Sequence, residues 1–149
     1  MLIIKKQDNL YKKLKNFVSD LKLSKKPIFV FDIHKTTLTK QGLKNKEIET
    51  QIKDLLDKNY NIFFLSYDGQ EKRIQHNYKL IQKIPLYRNI PTIFIMKRTK
   101  HLVLLNLVKL IKLDQRYKIK ATLIDDNPLN IKDMNKLDQT TFNSVLYKM

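Results

Sequence analysis

Asp32 closes an apolar run, Pro27-Ile28-Phe29-Val30-Phe31, and is followed by Ile33, His34, Lys35 and Thr36. Three further runs end in polar residues of matching chemistry. Asn61–Leu65 (NIFFL) stops at Ser66, and Thr92–Met96 (TIFIM) is followed by Lys97 and Lys100. Ala121–Ile124 (ATLI) stops at Asp125-Asp126. A carboxylate, a hydroxyl, an ammonium and a carboxylate pair thus follow successive apolar runs. Carboxylates gathered at one place repel unless a cation lies between them. Hard oxygen ligands with open positions suit Mg²⁺, which takes one or two carboxylates, water and phosphate oxygens. A hydroxyl and a lysine then serve the remaining phosphoryl oxygens. A carboxylate facing phosphorus is a candidate nucleophile, forming an aspartyl-phosphate.

The segments between these runs predict the elements that carry them. Asp8–Leu23 has Leu10, Leu14, Phe17, Val18 and Leu21 at helical spacing. Leu43–Lys58, Gln70–Lys83 and Lys100–Leu113 read as further helices, and Pro128–Lys136 as a short one with Pro128 in its first turn. The four apolar runs read as buried strands, and Phe142–Tyr147 as a fifth, edge strand. Alternating strands and helices predict a Rossmann-like, doubly wound α/β fold with a mainly parallel sheet of about five strands and helices on both faces. In such sheets, residues just past the carboxyl ends of the strands line the ligand crevice.

The ordered set resembles the signature of the haloacid dehalogenase (HAD) superfamily of phosphotransferases. That family has an apolar strand followed by Asp-x-Asp-x-Thr, here Phe29-Val30-Phe31-Asp32-Ile33-His34-Lys35-Thr36. It has a strand ending in Ser or Thr, here Ser66, and a lysine near a helix start, here Lys100 or Lys97. Its last motif is a strand ending in Gly-Asp or Asp-Asp, here Asp125-Asp126. The resemblance spans residues 27–136. It implies Asp32 as nucleophile and Mg²⁺ ligand, and Asp126 as a metal-binding residue, with Asp125 orienting the metal or its water. It implies phosphoryl and substrate contacts at Thr36, Ser66, Tyr67, Lys97 and Lys100, with Lys100 offsetting phosphoryl charge. Asn130 falls where many members have a further acid. Receiver domains share a similar alternation, but their acidic pair precedes the phosphorylated Asp, whereas this pair comes last.

His34 departs from the pattern. The family's phosphatases have Asp there as general acid and base, and that position also binds Mg²⁺ through its backbone carbonyl. An imidazole can shuttle protons near neutral pH, so a catalytic His34 is one expectation. A slow phosphatase and a phosphate-binding module without turnover are the others.

The gaps between motifs, Thr37–Ser66 and Ser66–Met96, hold one helix each plus short connections. Neither has room for a cap domain. An open site suits a large phosphate ester, such as a nucleic-acid end phosphate or a phosphoprotein. Capless polynucleotide phosphatases resemble this layout.

Composition sets the frame. The 149 residues suit a single domain spanning 1–149, with a basic N-terminal helix within residues 1–26 packed on it or extending from it. Zero Cys excludes a disulfide scaffold, thiolate zinc sites and cysteine catalysis. The net charge of +16 points to a polyanionic partner such as nucleic acid. Biased use of Lys, Ile and Asn is an equal explanation, because Arg occurs only at 73, 88, 98 and 116. The seven tyrosines, from Tyr11 to Tyr147 and including Tyr117, form no stacking platform readable from spacing. No apolar run approaches about 18 residues, so no membrane span is expected. The opening Met1-Leu2-Ile3-Ile4-Lys5-Lys6 lacks the longer apolar core of a secretory signal. The expected location is intracellular, in the cytoplasm.

Overall fold

The computed structural model describes residues 1–114 and 119–148; Arg116 and Tyr117 lie outside that set. In chain order the elements are β1 (Leu2–Ile4), α1 (Leu10–Ser19), β2 (Ile28–Phe31), α2 (Lys46–Asp57), β3 (Asn61–Tyr67) and α3 (Glu71–Gln82). A short 3-10 turn, Pro85–Tyr87, leads to β4 (Thr92–Ile95), α4 (Lys100–Asp114), β5 (Ala121–Asp125), α5 (Pro128–Met134) and β6 (Phe142–Leu146).

The sheet has six strands, all parallel, in the order β1-β4-β3-β2-β5-β6. The additional strand is β1, whose Leu2, Ile3 and Ile4 pair with Ile93, Phe94 and Ile95. Three residues are too few to display a period in the sequence. Their strand character comes from the partner β4. The N-terminal region is therefore part of the domain, with α1 packed on α4.

Side chains of β3 alternate between two cores. Phe63 and Leu65 face one side, with Leu14 of α1 and Val103, Leu104 and Leu107 of α4. Ile62 and Phe64 face the other, with Ile48 and Ile52 of α2 and Ile74 and Ile81 of α3. Burial on both faces explains why the central strands read as unbroken apolar runs. The helices start where asparagine side chains accept orphan backbone N–H groups. Asn9 accepts from Lys12, Asn45 from Glu47 and Ile48, and Asn127 from Leu129. Pro128 occupies the first turn of α5, where its missing N–H costs nothing.

The strand order places the site. From β2 the chain steps outward through β3 to β4, then returns to put β5 on the opposite side of β2. The switch in direction lies between β2 and β5, where doubly wound sheets open their ligand crevice. Phe31 is in register with Ile124, so Asp32 and Asp125 leave the sheet side by side. Between β2 and α2 the chain forms a small flap. Leu38 bridges Lys44, and the Thr39 amide donates to the Leu43 carbonyl at 2.8 Å. Gly42 turns the flap at a φ of 80°, a conformation open to glycine. This flap, α2, α3 and the 3-10 turn are the insertions between β2 and β4, and none forms a cap.

Candidate active site

Asp32 follows the last residue of β2, and its amide donates to the Ile124 carbonyl at 2.9 Å. Its backbone is tied to β5 through that bond. Its side chain is buried, with one donor on each carboxylate oxygen. Oδ1 accepts from Lys100 Nζ at 2.6 Å, and Oδ2 accepts from Thr36 Oγ1 at 3.3 Å. The Thr37 hydroxyl donates to the Asp32 carbonyl at 2.7 Å, and the Thr37 amide donates to that same oxygen. Thr36 is fully buried and orients the Asp32 carboxylate; it is not among the residues lining the crevice.

Lys100 opens α4 and is 2% exposed. Its ammonium also donates to Asp125 Oδ2 at 2.7 Å, so one cation bridges two carboxylates. Lys97, the other candidate for this position, is exposed and outside the crevice lining. Asp125 accepts at both carboxylate oxygens. Oδ1 accepts from the Asn127 amide at 2.9 Å, and Oδ2 accepts from both Lys100 and Asn130 Nδ2, the latter at 3.0 Å. Asp126 is only half-buried, with a carboxylate oxygen within 4.8 Å of those of Asp32 and Asp125.

Ligand oxygens of Asp32, Asp125 and Asp126 lie within 4.8 Å of one another, the one such cluster among the described residues. Three carboxylates face one ammonium, so the cluster is short of positive charge. The titration shifts express this. Burial pushes Asp32 up to about 6, opposed by Lys100 and reinforced by Asp126. Burial likewise raises Asp125, against the pull of Lys100. Burial works against a charged Lys100, but Asp32 and Asp125 outweigh it and hold the ammonium above its ordinary value. Protons or a divalent cation would supply the missing charge.

The donor set fits a hard metal ion, because every candidate ligand is oxygen. A separate observation points the same way. Asn130 is buried at the crevice, and its Oδ1 is an acceptor without a partner. Such an atom costs free energy unless a water or ion meets it. Asp32, Asp125 and Asp126 each offer one oxygen to such an ion, and Asp125 also holds Lys100 and Asn130 in place.

The crevice encloses about 410 Å³ at the carboxyl ends of β2, β3 and β5. Ser66 is buried in its wall, and among the described residues none hydrogen-bonds its hydroxyl. Tyr67 stands at the mouth, 45% exposed. His34 is exposed on the lining, and no described residue hydrogen-bonds its ring. Lys35 beside it has a φ of 60° and also lines the crevice.

Two contributions escape sequence reasoning. Lys35 enters the site through a left-handed backbone that its residue type does not announce. Asp133 of α5 forms the second. It lies 3.5 Å from Arg98 Nε, 3.2 Å from Lys136 Nζ and 4.0 Å from His101 Nδ1. Arg98 lies two residues before Lys100, so its pairing with this buried carboxylate ties the approach to α4 to the helix that carries Asn130. The only hint in the sequence is an acid among basic residues, a common surface pattern.

No helix among the described residues is long and apolar enough to cross a membrane. No family model matches the sequence, and no curated protein matches it.

Proposed function

We propose that this chain is a Mg²⁺-dependent phosphate-monoester hydrolase that works through an aspartyl-phosphate at Asp32. One observation carries the reading. At the switch point of a parallel sheet, a single buried lysine bridges two aspartates, and a third stands within bridging range of both. Burying two like charges beside a half-buried third is costly. A site that exchanges cations and phosphates gives that cost a use.

The chemistry follows from the residues. Ser66 and Lys100 receive phosphoryl oxygens. Asp32, Asp125 and Asp126 would hold Mg²⁺, which would neutralise phosphoryl charge. An Asp32 carboxylate oxygen attacks phosphorus, and the bond from phosphorus to the ester oxygen breaks. The departing oxygen takes a proton from the His34 imidazolium or from water. Water then attacks the phosphorus, gives up its proton to the His34 imidazole or to solvent, and releases orthophosphate. The Asp32 carboxylate is restored. The lack of a cap leaves the crevice open to a substrate whose remainder stays outside.

A second reading is a phosphate-binding module without turnover. It is favoured by His34, whose ring is exposed and held by no described residue, in contrast to the tightly positioned Asp32. One experiment separates the two: release of orthophosphate from an aryl phosphate, with and without Mg²⁺, by the native chain and Asp32→Asn. Mg²⁺-dependent turnover that disappears in Asp32→Asn is the expected result. Binding of orthophosphate and Mg²⁺ without turnover between pH 5 and 8 would select the module.

A further inference from the structure

We infer that the crevice takes the terminal phosphate of a single-stranded nucleic acid, with the terminal base stacked on Tyr67. This rests on the hydrolase reading and names its substrate class.

Tyr67 is the one phenyl-ring side chain on the crevice lining among the described residues, adjacent in sequence to Ser66. Its ring is 45% exposed and takes part in none of the ring contacts among the described residues. Its backbone is not loose. Tyr67 is in register with Ile95, and the Asp68 amide donates to the Ile95 carbonyl at 3.0 Å. The Asp68 carboxylate in turn accepts from the Gln70 amide at 3.0 Å and from Arg73 Nε at 2.9 Å. A half-exposed tyrosine on an anchored backbone thus stands at the mouth of a polar crevice. Base stacking on such a ring tolerates any sequence, since every base has a π-face.

Depth and charge restrict what the ring can meet. Asp32 and Lys100 lie buried at the crevice floor, so only a chain end can bring a phosphorus atom to them. A cavity of about 410 Å³ lies at the small end of ligand pockets, which suits one nucleotide rather than a duplex end. Lys35, exposed on the same lining, offers an ammonium to a further phosphate. The net charge of +16 raises the local concentration of a polyanion and favours nucleic acid over an aryl phosphate on a protein.

The test compares native protein, Tyr67→Ala and Tyr67→Phe on three substrates in Mg²⁺. These are a single-stranded decanucleotide with a terminal phosphate, a phosphotyrosine peptide and glycerol phosphate. Tyr67→Ala should raise KM for the decanucleotide about tenfold more than for glycerol phosphate, with the smaller change in kcat, and Tyr67→Phe should restore it. Equal losses on both substrates would overturn the stacking role. Preference for the phosphotyrosine peptide would overturn the substrate class. If nothing is hydrolysed, the hydrolase reading fails, and fluorescence anisotropy still decides on binding. The decanucleotide should bind more tightly than its dephosphorylated form, and Tyr67→Ala should weaken both complexes. No preference for the end phosphate would overturn the inference.

Discussion

Lys100 and Asp32, 68 residues apart in the chain, meet at 2.6 Å in the interior of the protein. The same ammonium reaches Asp125 at 2.7 Å. One side chain therefore joins the ends of β2 and β5 to the start of α4.

Lys100→Met should expose how much the site depends on that bridge. The substitution keeps the volume and leaves Asp32 and Asp125 facing each other without a cation. Breaking a buried pair by removing one partner costs about 3–5 kcal/mol. Urea unfolding of the metal-free protein at pH 7.5 should show a loss of that order, and Mg²⁺ should recover part of it. Phosphatase activity should fall by at least about a hundredfold. Unchanged stability would mean that the three groups are not a closed network.

Asp32→Asn should change how stability depends on pH. A buried Asp whose pKa rises from 3.8 to about 6 favours the folded state while protonated. Native stability from this group is present below about pH 4 and is lost as pH rises through 6. Two pKa units correspond to about 3 kcal/mol. In EDTA, Asp32→Asn should therefore gain on the native protein by about that much between pH 4 and pH 7.5. The check is urea unfolding of both proteins across that range; a pH-independent difference would refute it.

Asp126→Asn separates metal binding from folding. Asp126 is half-buried and lies outside the Lys100 bridge. In EDTA its Tm should stay within a few degrees of the native value. The rise in Tm that millimolar Mg²⁺ gives the native chain should largely disappear, because a ligand stabilises only through the state that binds it. An undiminished Mg²⁺ shift would remove Asp126 from the ligand set.

His34 tests the proton-transfer step. Its ring is exposed, so His34→Ala should alter stability by less than about 0.5 kcal/mol. Turnover of an alkyl phosphate, which needs a protonated leaving oxygen, should fall about a hundredfold, and turnover of an activated aryl phosphate much less. His34→Asp should raise the alkyl rate above that of His34→Ala. Equal losses on both esters would assign His34 a role other than proton transfer.

Much of the architecture is legible because central parallel strands are buried on both faces. Ile28–Phe31, Asn61–Leu65 and Ala121–Ile124 stand out as apolar runs, so the polar residues after them stand out too. Asn45, Asn127 and Pro128 mark helix starts for equally local reasons. The edge strand Leu2–Ile4 is not legible, because its conformation is supplied by β4.

By its own residues, then, the chain determined an α/β fold and gathered Asp32, Ser66, Asp125 and Asp126 at strand ends. Tertiary structure decided the rest. The strand order put β5 beside β2, and that arrangement depends on where each crossover returns rather than on any local pattern. It selected Lys100 over Lys97, because α4 starts at Lys100 and carries its ammonium inward while Lys97 stays in solvent. It turned Thr36 beneath Asp32 and tied the approach to α4 to α5 through the Arg98–Asp133 pair. These are contacts between distant segments, and their free energy appears only once the packed sheet has brought those segments together.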